Sequence, residues 1–230
     1  MRPVARFVLA LCLAATSARL AAAPSATTLT TELRATITGA IGQPPASATP
    51  FPTLGPALAD YASHTGHDPA RYESFVAAAR RILAGEPATQ QSPDRTALQL
   101  TQTANALLAA LPADTALPTA ATDPATLEAR LTAHLARFHA QRVIAAVHYS
   151  LFRRGLRLAE LVAATYREKS AVANYRDLVA LATAARHPAA PALQAELKQL
   201  ELHFKELEEQ CCPPSEAIMK EKVWQPATAL

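Results

Sequence analysis

The sequence predicts an all-α protein, a bundle of about six to seven helices centred on a long antiparallel helical hairpin. Three observations predict it. The 18 prolines and 6 glycines fall mostly where apolar periodicity breaks, so they read as helix boundaries. The stretch Ala125 to His187 contains no proline and a single glycine, Gly155. No segment shows the sustained alternation of a half-buried strand.

The elements follow in order. Leu29, Leu33, Ile37 and Ile41 recur four apart, which predicts a short helix over about 28–41, ended by Gly42. Residues 43–55 (QPPASATPFPTLG) read as an extended connector. A brief helix is expected from Pro56 to His64. Asp68-Pro69, Ser92-Pro93 and Asp123-Pro124 each pair a capping side chain with proline at the first helical position, so each predicts a helix start. The first of these helices would carry Tyr72, Phe75, Val76, Ala79, Ile82 and Leu83 on one face and stop at Gly85. The second carries Leu100, Ala104, Leu107 and Leu108, and stops before Pro112.

Two long helices over 125–153 and 157–186 form the expected hairpin, each about 45 Å long at about 1.5 Å per residue. Leu127, Leu131, Leu135 and Phe138 make a stripe on the first. Val143, Ile144, Val147, Tyr149, Leu151 and Phe152 then surround it, which predicts burial on several sides. A last helix over 190–210 carries Leu193, Leu197, Leu200, Phe204 and Leu207 at alternating spacings of four and three. That is a coiled-coil-type seam, too short to stand alone. It is expected to pack on the hairpin or on a second copy, giving a homodimer through this helix. Residues 211–230 read as a flexible tail.

The N-terminus predicts export. Arg2 and Arg6 precede an uncharged apolar or small run, Phe7 to Ala18, as in a secretory signal peptide within residues 1–23. Cleavage is expected after Ala18 or Ala23. The run is shorter than the roughly 20 residues of a membrane span, so no stable span is expected once the signal is removed. Without Arg2, Arg6 and Arg19, the 22 basic side chains fall to equality with the 19 acidic ones. A neutral chain gives no overall electrostatic reason to bind nucleic acid. With Cys12 in the signal, only the adjacent pair Cys211 and Cys212 remains, which excludes a disulfide framework. The pair would instead suit an intermolecular disulfide at the end of the leucine seam.

The chemistry-bearing residues are few. There is no GxGxxG, no phosphate loop, no GxSxG and no HExxH, so the sequence leans away from an enzyme and implies no cofactor. The chief polar feature is a stripe on the first hairpin helix: Arg130, His134, Arg137, Gln141 and His148, with His139 on another face. His134 and His148 are too far apart along the axis to ligate one metal from one helix. The stripe reads as a solvated basic face or, functionally, as a groove for an anion or an acidic partner. His64 and His67 form an HxxH at a helix end, and His203 with Glu206 forms an HxxE. These, with His134 and His148, are the candidate metal ligands.

The stretch 138–182 (FHAQRVIAAVHYSLFRRGLRLAELVAATYREKSAVANYRDLVALA) resembles helical-hairpin segments of large secreted, carbohydrate-active bacterial proteins. It carries no catalytic motif. The resemblance implies an accessory helical part of such an enzyme. The residues themselves point first to a periplasmic or secreted binding or scaffold module, and second to an exported metal- or cofactor-binding helical protein.

Overall fold

A computed structural model describes residues 24–42, 51, 53–64, 66, 68–112, 123–211 and 223–226. The expected signal peptide, Cys12, His67 and Cys212 lie outside these. Among the described residues there are seven helices and no strand: α1 (Ala26–Ala40), α2 (Leu58–Ser63), α3 (Phe75–Ala84), α4 (Pro93–Ala110), α5 (Pro124–Gly155), α6 (Leu158–Ala184) and α7 (Ala190–Gln210). The fold is the predicted all-α bundle around a long hairpin, α5–α6.

Local chemistry sets the starts. Ser25 Oγ accepts from Thr28 N, Ser74 Oγ from Ala77 N, and Asp123 Oδ2 from both the N–H and the hydroxyl of Thr126. Each satisfies a donor that the first helical turn leaves over. The two bonds from Thr126 hold the Asp123 carboxyl below its usual range.

α5 is the axis of the molecule. It packs along α6 and against α1, α2, α3 and α4, while α7 lies on α6. Its second half is apolar all round, as expected: Val143, Ile144, Ala145, Ala146 and Val147 are all buried. Fully buried alanines (Ala133, Ala136 and Ala140 on α5; Ala164, Ala171 and Ala182 on α6) let the helices approach closely, which compensates for the small area each contributes. Leu193, Leu200 and Leu207 of the α7 seam are buried within this one chain.

Three expectations are corrected. Asp68-Pro69 caps only a single turn, with Tyr72 N–H on Asp68 O, and α3 begins at Phe75. The N–H of Glu73 goes to Gln91 O, and that of Gln91 to Arg71 O, so these groups are taken by a distant segment before a helix can propagate. α2 is shorter than expected, because Pro56 and Ala57 remain non-helical. α5 runs on past the expected residue 153 to end at Gly155, and the left-handed cap falls on Leu156, with φ 51° and ψ 26°.

Candidate functional site

The polar stripe of α5 is only partly solvated: Arg130 and His148 are buried, while His134, Arg137 and Gln141 are half-buried. Arg130 is buried and its guanidinium donates to Pro112 O. Arg137 donates through Nε and Nη2 to Asn105 Oδ1 on α4, at 3.2 and 2.7 Å. Gln141 Oε1 accepts from Arg167 Nη1 on α6 at 3.2 Å. His134 is partly buried, and burial, with Arg137 and Arg130 adding repulsion against the attraction of Asp177, lowers its pKa. Asn105 of α4 and Arg167 of α6 thus engage part of the expected groove. His139 is wholly buried, stacked on Tyr61 and edge-on to Phe138, with its Nδ1 3.1 Å from the Tyr61 hydroxyl.

Sequence reasoning missed the largest polar cluster. Arg142 has no exposed side-chain surface. Its Nε donates to Glu168 Oε1 at 2.9 Å; Nη1 donates to the carbonyls of Thr53 and Gly55 at 2.9 and 2.6 Å; Nη2 donates to Pro56 O at 2.8 Å. The guanidinium also lies over the rings of Tyr61 and Phe138. Nearby, the Tyr175 hydroxyl donates to Glu196 Oε2 at 2.6 Å and lies 3.2 Å from Phe51 O. Burial raises the pKa of Glu168, against the pull of Arg142, and raises those of Tyr61, Tyr175 and Glu196. Side chains of α5, α6 and α7 thus hold the irregular connector before α2 by its backbone. The available signal was one charge inside an otherwise uncharged, all-round apolar run.

His148 of the stripe borders a cavity. Its Nδ1 is 2.6 Å from Glu160 Oε2, and both side chains are almost wholly buried. Glu160 Oε1 accepts the backbone N–H of Trp224 at 3.0 Å, with Arg157 Nη1 3.9 Å away. Glu160 occupies the first turn of α6, where the helix dipole favours an anion. The indole of Trp224 stands edge-on to the imidazole, with ring centroids 5.2 Å apart. So residues 223–226, in a segment the sequence assigned to the tail, lie on the hairpin. They, α6 and His148 of α5 border an open cavity of about 360 Å³, lined also by Val162, Tyr166, Arg167 and Trp224, with Ala159 and Ala163 between them.

Its chemistry follows from the assignments. Glu160 holds Nδ1 of His148 as a donor, which leaves Nε2 as acceptor in the neutral ring and donor in the imidazolium. The lining is otherwise aromatic and small aliphatic side chains, with Arg167 donating to Gln141 at its edge.

The other candidate ligands do not converge. His203 Nδ1 is 2.9 Å from Glu206 Oε2 in an exposed pair on α7. His64 is described at the end of α2, but its expected partner His67 is not. Among the described residues no three His, Cys, Asp or Glu side chains are grouped to hold a metal ion. Cys211 is partly buried at the end of α7 with a free thiol. No described helix is long and apolar enough to cross a membrane. In comparisons with protein families, characterised proteins and solved structures, nothing matches this chain.

Proposed function

We propose that the chain is an exported helical binding module whose ligand site is the cavity between the α5–α6 hairpin and residues 223–226. The observation that carries this reading is the His148–Glu160 pair, buried and oriented at the wall of a cavity that an aromatic residue also borders. Largely apolar cavities with a few fixed polar groups are the usual form of small-ligand sites. The basic N-terminus and its short uncharged run support export.

The ligand class follows from the lining. A small, partly apolar body suits the aromatic and aliphatic side chains of the lining, and a carboxylate or similar polar group on it would meet His148, the side chain that Glu160 orients. Binding alone accounts for the arrangement of the described lining residues.

Trp224 is the single tryptophan of the chain, so its emission reports the site directly. Titration with small aromatic and aliphatic carboxylates is expected to quench or shift that emission, and His148→Gln is expected to weaken the response at least tenfold. Emission that stays unchanged across carboxylates and their neutral analogues at millimolar concentration rejects the reading.

A further inference from the structure

The turn of the hairpin carries an unusual conjunction of residues. Residues 153–158 read Arg-Arg-Gly-Leu-Arg-Leu. Leu156 is 75% exposed, and Leu158 is 42% exposed. Leu156 also holds the left-handed conformation, although a glycine stands immediately before it. A leucine in that region is strained, and the position after a helix end is where glycine ordinarily relieves the strain. Side-chain identity at this tip is thus opposed both by solvent and by the backbone, a combination found where a residue serves something outside the fold.

Charge narrows what that is. Arg153 and Arg154 are exposed, and among the described residues no carboxylate pairs with either. Arg157 reaches Glu160 only at 3.9 Å. No acidic residue occurs anywhere between Glu128 and Glu160. Beside the two exposed arginines, α2, α3 and α5 leave a cavity of about 440 Å³ lined also by Ser63, Val76, Tyr149 and Ser150, with no carboxylate in its lining. Exposed leucines between arginines form a tip that is apolar at its point and cationic around it. That complements a bilayer interface, where apolar side chains enter the acyl boundary and arginines remain at the phosphates. A protein partner would have to supply a matching socket, whereas a lipid surface closes around any convex shape.

We propose that the α5–α6 turn docks on an anionic lipid bilayer, with Leu156 and Leu158 entering the interface and Arg153, Arg154 and Arg157 meeting lipid phosphates. The net charge of +3 over the whole chain does not reveal this cluster of three arginines at one end of the hairpin.

The full chain is tested by co-sedimentation with vesicles of mixed phosphatidylcholine and phosphatidylglycerol, against phosphatidylcholine alone. Binding is expected only to the mixed vesicles, and to fall as salt is raised. Each arginine is worth about fivefold in affinity, so Arg153→Gln with Arg154→Gln is expected to weaken binding by about 25-fold. Leu156→Gly removes the apolar point while relieving the backbone, so it is expected to lose vesicle binding with an unchanged or higher melting temperature. That combination separates docking from folding. Equal binding to both vesicle types, no binding to either (the outcome if the tip serves an acidic protein), or full binding by either variant overturns the proposal.

Discussion

Replacing Arg142 by methionine tests the account of the core most directly. Methionine keeps the length of the stem and the helix propensity of the position, so what is removed is the guanidinium. Glu168 then keeps a buried carboxylate with no cation, and its Oε2 already lacks a hydrogen-bond partner. Breaking a buried pair from one side costs about 3–5 kcal/mol. The carbonyls of Thr53, Gly55 and Pro56 lose their donor as well. The bonds to Gly55 and Pro56 are only partly buried, so water replaces part of the loss, and about 1 kcal/mol in total is a fair addition. A cost of about 4–6 kcal/mol is therefore expected, a large share of the stability of an ordinary domain.

The measurement is urea denaturation followed by far-UV circular dichroism, repeated in Arg142→Met with Glu168→Met. The double variant no longer strands a charge, so it is expected to recover at least about 2 kcal/mol over Arg142→Met alone. Recovery should be incomplete, because the connector carbonyls remain without their donor. Limited proteolysis of Arg142→Met is expected to cut within the connector before α2 while the hairpin survives. A cost under about 1 kcal/mol for Arg142→Met, or strictly additive costs in the double variant, refutes the assignment of Arg142 as the anchor.

Two further outcomes are expected. Burial and the neighbouring arginines lower the pKa of His134, so the folded state binds its proton less readily than the unfolded chain does. Stability from this group is present above the unfolded histidine value of about 6.5 and is lost as pH falls through that value toward the folded one. Urea midpoints at about pH 7.5 and about pH 5 should differ less in His134→Gln than in the parent, and an unchanged difference contradicts the placement. Glycine substitutions should take opposite signs. A Cβ on Gly155 meets nothing nearer than Arg157 Cδ at 3.7 Å in a helical backbone, so Gly155→Ala is expected to stabilise by about 0.5–1 kcal/mol. One on Gly66 would fall within 2.6 Å of the carbonyl oxygens of Gly39 and Ala40, so Gly66→Ala should destabilise by about 2 kcal/mol or more. Thermal melts of the two variants distinguish these, and shifts of the same sign would undo the close packing of residue 66 on the end of α1.

The helices were legible because they are written in local terms. Ser92-Pro93 and Asp123-Pro124 begin α4 and α5 where the sequence placed them, and the α7 seam gives its helix at its predicted bounds. Asp68-Pro69 has the same local form and fails. Gln91, about twenty positions on, supplies hydrogen bonds that compete with the next helical turn, and no local pattern records that. The site was legible by half. His148 stands out as a histidine on the hairpin, but Glu160 reaches it across the turn, and Trp224 comes from the far end of the chain. A lone tryptophan in a supposed tail was the available sign, since so large an apolar ring is seldom left in water.

Arg142 and His148 are neighbours on one helix, and both are buried polar groups, yet they imply different things. Around Arg142, four hydrogen bonds and two aromatic faces occupy the cation, and every partner belongs to the chain. Such a cluster is complete: it fixes where the connector lies and has nothing to offer a ligand. Around His148 only Nδ1 is bound to Glu160, while the same ring borders a cavity lined also by the segment that Glu160 holds. Burying a histidine and a glutamate costs desolvation whether or not a ligand is present. A purely structural role for the pair would be served as well by apolar side chains filling the cavity. What those would lack is a polar group oriented by a carboxylate at the border of a cavity. That contrast, more than the number of histidines on α5, is why we propose the ligand site beside Trp224.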